Sequence, residues 1–354
     1  MSDRRCAGYF VRTCLLAFST LFIFAGMASA APPADSAYHI VRKMPVAGEG
    51  AWDYLTVDTE GHRIFISRST HVMVVDEMSG KVIGDIPDTK GVHGIALAYD
   101  LGKGYVSDGG SNMVTVFDLK TLKTVSTINV TGQNPDFIIY DPASKRVFTM
   151  NGRTANATAI DANTGEVVGT VKLPGKPETP ALDGKGNMFV NIEDKSEEVE
   201  FDVKTLEVKN TWPIAPCEEP SGIAVDTAHR RLFLGCDNKM LAVLNMDTGK
   251  IVATPAIGDG VDADTFDTST GLAFASCGQD GVLSIVHEDS PDKYTVVANV
   301  PTQKGARTMA IDPKSHHVFT VTADFMPPPA PTAEVPHPRP QAIAGTFVIL
   351  ELAP

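Results

Sequence analysis

Residues 135–172 read PDFIIYDPASKRVFTMNGRTANATAIDANTGEVVGTVK. An apolar run ends at Asp141, a turn follows, and Val147 to Met150 forms a second apolar run around Phe148. A third run ends at Asp161, the turn Thr164-Gly165-Glu166 reverses the chain, and a fourth run completes the unit. Apolar and polar residues alternate, Val, Ile, Thr and Phe recur, and no 3.6-residue period is present, so the segments are strands. Four antiparallel strands in a unit of roughly 40 residues make one blade of a β-propeller.

The same unit recurs along the chain. The inner strand of each copy ends at Asp58, Ala98, Asp141, Asp183, Asp226, Asp267 and Asp312, at spacings of 40, 43, 42, 43, 41 and 45 residues. The predicted fold is therefore all-β, a seven-bladed propeller of four-stranded antiparallel blades. The turns Ser79-Gly80-Lys81, Thr164-Gly165-Glu166 and Thr248-Gly249-Lys250 open outer strands, where glycine permits a left-handed turn residue. The last copy is one strand short. After Val318 to Val321 comes a Pro-rich insert, residues 325–340, and Gly345 to Leu352 supplies the third strand before the sequence ends. Tyr38 to Val46 is the expected donor of the missing outer strand, which leaves no open edge in the ring.

Residues 1–30 carry Arg4, Arg5 and Arg12, an apolar run from Leu15 to Met27, and Ala28-Ser29-Ala30, the layout of a secretory signal cleaved near Ala30. The expected organisation is a signal peptide over 1–30 and one propeller domain over 31–354, placed in the periplasm or secreted. No later apolar run is long enough to span a membrane as a helix. The net charge is −13, and removing residues 1–30 makes it more negative, which disfavours binding to a phosphate backbone. Neither Cys-x-x-Cys-His nor His-Glu-x-x-His occurs, which removes c-type haem proteins and the helix-borne zinc proteases.

The chain enters each inner strand five residues before the repeat anchor, on the face where the central channel opens. That position is occupied by Asp53, His93, Asp136, Glu178, Ser221, Asp262 and Arg307. Converging polar groups at a concave mouth mark a ligand site, and these seven, with Trp52 beside Asp53, are the candidate binding residues. Four crowded carboxylates repel and raise one another's pKa unless a cation compensates. Asp53, His93, Asp136, Glu178 and Asp262 are accordingly candidate ligands for a divalent cation such as Ca²⁺. The loops leaving the second strands add Arg68, Asp108, Asn151, Asn191, Cys236, Cys277 and Thr322 to the same face. Trp52 reads as packed under a loop, and His316 and His317 as solvated turn residues on the opposite face. Cys217 and Cys236 fall on one face of one blade and are expected to pair, leaving Cys277 as a free, partly buried thiol.

The segments Gly50-Ala51-Trp52-Asp53-Tyr54-Leu55-Thr56-Val57-Asp58, Val92-His93-Gly94-Ile95-Ala96, Asn134-Pro135-Asp136, Glu218-Glu219-Pro220-Ser221-Gly222 and Gly305-Ala306-Arg307-Thr308-Met309-Ala310 carry a likeness. In them the chain resembles the bacterial YncE-like branch of the YVTN β-propeller proteins, over essentially all of residues 31–354. The resemblance implies the seven-bladed fold and export; one member is associated with DNA binding, and distant seven-bladed relatives include lactonases. Two readings of function stay open. One is a binding or scaffold propeller that recognises a small molecule, a cation or a protein partner in its funnel. The other is a metal-assisted, lactonase-like hydrolase or lyase, in which a cation polarises a carbonyl and His93 or a carboxylate moves the proton. DNA binding is a third option, resting on the resemblance alone.

Overall fold

The computed structural model describes residue 1, residues 38–330, 332, 338 and 340–354. The expected signal segment lies outside the described residues apart from Met1. The chain divides into units Met1–Pro32 and Pro33–Pro354, and the description below concerns the second.

Among the described residues the strands form seven four-stranded antiparallel sheets, each ordered from an inner to an outer strand. In blade three these are Pro135–Asp141, Arg146–Asn151, Asn156–Asp161 and Val167–Lys172. The last blade combines Met309–Ile311, Val318–Thr322 and Val348–Ala353 with His39–Pro45 from the other end of the chain. There His39 lies opposite Ala353 and Pro45 opposite Val348, so the first and last strands of the propeller are hydrogen-bonded neighbours.

Each second strand carries an aromatic ring, at its third position in the first six blades and at its second in Val318–Thr322. Phe65, Tyr105, Phe148, Phe189, Phe233, Phe274 and Phe319 are each at most 1% exposed and occupy the clefts between blades. Fully burying a large apolar side chain contributes about 1.5–3 kcal/mol, so seven such rings are a main source of cohesion around the ring. The inner-strand aspartates are turn residues: Asp141 accepts from the backbone N–H groups of Ala143 and Ser144, and Asp226 from those of Ala228 and His229. Blade two, where the anchor is Ala98, substitutes a short 3₁₀ turn, Tyr99–Leu101.

The outer turns contain Gly80, Gly165 and Gly249 at φ of 69°, 78° and 67°. Leu122 and Leu206 stand at the same step of two other blades with φ of 61° and 64°. Their side chains occupy the space that a Cβ on Gly84 and on Gly169 would need, so packing against the preceding blade offsets an unfavourable backbone.

His316 and His317 are not merely solvated. His316 Nδ1 lies 2.7 Å from Asp267 in the sixth blade, and His317 Nδ1 lies 2.6 Å from Glu351. The sequence pattern could not reveal this, because both acids are distant in the chain: Asp267 meets the turn through packing of the sixth blade, and Glu351 from the neighbouring strand of the same blade. The Pro-rich insert leaves through a short antiparallel stem in which Met326 N donates to Gln341 O and Ile343 N to Asp324 O. A disulfide joins Cys217 to Cys236, with Cα atoms 5.4 Å apart, and Cys277 is a buried free thiol.

Candidate functional site

The residues that begin the inner strands meet at the channel mouth and bond from blade to blade. His93 Nδ1 is 2.6 Å from Asp53 Oδ2 and 3.5 Å from Asp136 Oδ1. Arg307 reaches both neighbouring blades, donating through Nη2 to Asp53 Oδ1 at 3.1 Å and through Nη1 to Asp262 Oδ2. Ser221 Oγ donates to the other Asp262 oxygen at 3.2 Å. Glu178 is paired with Lys176, which also reaches Glu193.

The backbone that carries these groups is fixed from the preceding blade. Thr308 Oγ1 donates to Asp53 O at 2.7 Å, Ser107 Oγ to Asp136 O, and Ser276 Oγ to Arg307 O. Ser221 O accepts from Thr179 Oγ1 and from Asn191 Nδ2. Side chains whose carriers are hydrogen-bonded in this way present a preorganised surface.

The mouth divides electrostatically into two sectors. In the first, burial raises the Asp53 carboxyl but His93 and Arg307 outweigh it, and the net displacement is downward. Burial holds Asp262 above its ordinary value even though Arg307 opposes it. In the second, burial pushes Asp136 up to about 6 against the pull of His93. Burial and then the charge of Asp136 raise Glu178 to about 8, although Lys176 is beside it. Burial lowers His93, but Asp53, Asp136 and Glu178 together carry it above the usual imidazole value. Burial is thus the main reason that Asp136 and Glu178 resist ionisation, and the bases beside them do not offset it, whereas His93 and Arg307 do offset it at Asp53.

Tyr54 forms the floor. Its ring meets Phe137 edge-on at 4.9 Å between centroids, and burial followed by the charges of Asp136, Asp53, Glu178 and Asp262 keeps its phenol neutral. Both rings line a channel cavity of about 110 Å³ with Ile95, Ile223 and Met309.

All seven inner-strand positions singled out in the sequence thus belong to the blade-to-blade network or flank it. The donor atoms of Asp53, His93 and Asp136 all lie within 4.8 Å of one another, whereas Glu178 and Asp262 stand outside that group, each drawn to a base. One imidazole nitrogen with two carboxylates suits a divalent transition metal better than Ca²⁺, which takes six to eight oxygens. Trp52 packs on Phe347 at 5.2 Å and on Phe325 of the Pro-rich segment at 5.9 Å, so it supports the rim.

The second-strand exits do not face the funnel. Arg68, Asp108, Asn151, Asn191, Cys236, Cys277 and Thr322 are all at most 2% exposed. Arg68 lies over the Phe347 ring at 3.8 Å, Asp108 accepts from Thr115, and Asn151 donates to Thr158. The last residue of those strands turns sideways into the blade cleft, and only Asn191 touches the mouth, through Ser221 O. The site residues that the sequence reading missed are Lys176, Tyr54 and the hydroxyl struts. Lys176 was legible as a base two residues before Glu178, where a strand returns to the same face.

A further buried acid sits below the mouth. Asp264 fills the gap left by two glycines of the fifth blade, since a Cβ on Gly235 or Gly222 would meet its carboxylate. Neither carboxylate oxygen has a side-chain hydrogen-bond partner, and burial holds the group well above its ordinary value against the pull of the Gly235 backbone.

No family model matches the chain, and no curated protein matches it by sequence. Solved structures do match in fold. A chain of hydrazine synthase from Kuenenia stuttgartiensis superposes with a TM-score of 0.68 at 16% identity, over 78% of this chain and 93% of that one. The WD40 repeats of RRP9 give 0.73 at 10% identity, over 90% and 99%. A chain of a mitotic checkpoint complex gives 0.71 at 16%, over 88% and 96%. At such identities the likeness establishes the propeller fold and nothing about chemistry. Among the described residues, no helix is long and apolar enough to cross a membrane.

Proposed function

We propose that this protein is an exported, YncE-like binding propeller whose funnel takes a small cation or the cationic group of a small molecule or protein partner, in the periplasm or outside the cell. The observation that carries the reading is the uneven compensation of the buried carboxyls at the mouth. Arg307 answers Asp53 and Asp262, while Asp136 and Glu178 retain pKa values of about 6 and about 8 in spite of His93 and Lys176. A positive group seated there would offset burial and favour the ionised carboxylates. A divalent metal would be held by Asp53, His93 and Asp136, with His93 as a neutral imidazole.

The test is calorimetric titration of the wild type and of the Asp136→Asn, Glu178→Gln double variant with Zn²⁺, Ca²⁺ and a small alkylammonium ion. Binding by the wild type that weakens tenfold or more in a folded double variant supports the reading, and equal binding by both places the functional surface elsewhere.

A second reading rests on the Asp53–His93 pair. An imidazole oriented by a carboxylate at 2.6 Å is equipped to move a proton, and a metal beside it would polarise a carbonyl in hydrolysis or elimination. Turnover of a lactone panel by the wild type, lost in His93→Ala, separates catalysis from binding alone.

A further inference from the structure

The face away from the funnel holds another group of donor atoms, at the junction of the fifth and sixth blades. Asp226 ends the inner strand Pro220–Asp226, His229 lies in the turn that follows, and Glu288 belongs to the third strand of the next blade, Val282–Ser290. His229 Nδ1 is 2.7 Å from Asp226 Oδ2 and 3.2 Å from Glu288 Oε1. Among the described residues, only this junction and the Asp53–His93–Asp136 group bring three such donor atoms within 4.8 Å of one another.

The second observation is the state of Glu288. Its side chain is 3% exposed, yet Oε1 has no hydrogen-bond donor, because the one ring hydrogen that His229 can place on Nδ1 belongs to the shorter contact with Asp226. A buried carboxylate oxygen left this way is costly unless a positive centre meets it. Arg231 is adjacent but committed elsewhere. It donates from Nε to Pro291 O, from Nη1 to His229 O, and from Nη2 to Asp292. Those bonds instead tie down the turn that carries His229 and the loop that follows Glu288, fixing two of the three donors. At two other blade junctions the turn aspartate has a cationic or imidazole neighbour: Arg230 lies 3.5 Å from Asp183, and His316 lies 2.7 Å from Asp267. Between the seventh and first blades Asp312 meets the acid Glu77, but among the described residues no third donor atom joins them within 4.8 Å. At the Asp226 junction the neighbouring blade supplies a second acid.

We infer that Asp226, His229 and Glu288 form a binding site for a divalent transition-metal ion of the zinc type, which staples the fifth blade to the sixth. Tetrahedral zinc keeps its donor atoms about 3.3 Å apart, so once Nδ1 is deprotonated the His229–Asp226 contact needs to open by about 0.6 Å and the His229–Glu288 contact hardly at all. Two carboxylates balance the charge of the ion. His229, whose side chain is 52% exposed, stands on the solvent side and leaves the fourth position open to water. The mixed nitrogen and oxygen set disfavours Ca²⁺.

The experiment uses the folded, chelator-treated protein bearing Asp136→Asn and His93→Ala, so that the funnel group cannot contribute. Titration with Zn²⁺, and with Co²⁺ followed by its visible absorption, should show one bound ion. Adding Glu288→Gln or, separately, His229→Ala should weaken it at least tenfold. His229 is exposed enough for its removal to leave the fold intact, which a thermal melt verifies. No Zn²⁺ bound by the funnel variant, or binding that survives both substitutions, overturns the site. Loss of all Zn²⁺ on the funnel substitutions alone also overturns it, while leaving the funnel reading in place.

Discussion

His93 Nδ1 donates to Asp53 Oδ2 across 2.6 Å, and the two residues belong to adjacent blades, so the orientation of the imidazole depends on a carboxylate that its own blade does not carry. Asp53→Asn removes the charge that counters burial of the ring and leaves only a weaker, neutral acceptor. The His93 pKa should then fall, since burial alone favours the neutral imidazole. Titration of the His93 ring signals by NMR in wild type and variant checks this; an unchanged or higher pKa contradicts the geometry.

Asp136 and Glu178 set a pH dependence of stability. In the unfolded chain both are ionised above about pH 5. In the folded protein they keep their protons to about 6 and about 8 respectively. The folded state therefore binds more protons between those limits, and stability contributed by these groups falls as pH rises from about 4 to about 8. Denaturant unfolding of the wild type should show that decline, and the Asp136→Asn, Glu178→Gln variant should show a flatter profile. A ligand cation should offset the decline at high pH.

The repeat was legible because each blade must end its inner strand in a turn, bury a ring in its second strand, and reverse again, and each requirement leaves one residue type at a fixed step. The positions of Asp53, His93, Asp136, Glu178, Ser221, Asp262 and Arg307 were readable for the same reason, as equivalent steps of one repeating path. Their partners were not. Which acid Arg307 meets and that Asp226 faces Glu288 depend on contacts between blades, which a repeat pattern does not encode. The second-strand exits were misplaced because a strand alternates faces. Asn191 and Ile192 therefore point differently, and the final residue of most of these strands turns into the cleft.

Gly235 and Asp264 should behave as a coupled pair. A Cβ at Gly235 would stand 2.5 Å from Asp264 Oδ2 and 2.7 Å from Val261 Cγ2, so Gly235→Ala should cost about 1–3 kcal/mol. Asp264→Ala removes a buried carboxyl without a side-chain partner and should cost less than an ordinary core truncation. Serine at this step in other blades, as at Ser107 and Ser276, bonds to the next blade. Gly235→Ser should accordingly be tolerated better with Asp264→Ala than alone. A double-mutant cycle by urea unfolding measures the coupling, and strict additivity contradicts it.

Cys217 and Cys236, separated by 19 residues, close a short loop in the fifth blade. Replacing both with serine should cost about 2–4 kcal/mol. Cys277 should resist alkylation in the native protein, since burial raises its thiol to about 11, and should react once the chain is unfolded. Timed alkylation with mass analysis reads both states, and rapid native labelling at Cys277 contradicts its placement.

Truncation to Ala47 removes His39–Pro45 and exposes the edge of Val348–Ala353. Melting temperature should drop sharply and self-association should rise, because an unpaired strand edge recruits other chains. Scattering and thermal melts of the truncated and longer chains decide it, and equal behaviour contradicts the closure.

The pairing of His39–Pro45 with Val348–Ala353 also fixes an order of assembly. The first propeller strand to leave the ribosome waits for the last one made, so six blades can form while the seventh stays unfinished. Until Val348–Ala353 has emerged, the nascent chain has no closed circle to fall into. A polypeptide threaded unfolded across a membrane meets the same sequence of events on the far side. Joining the two ends covalently and cutting the chain between any two blades would move the waiting strand to a new place while leaving every blade its four members.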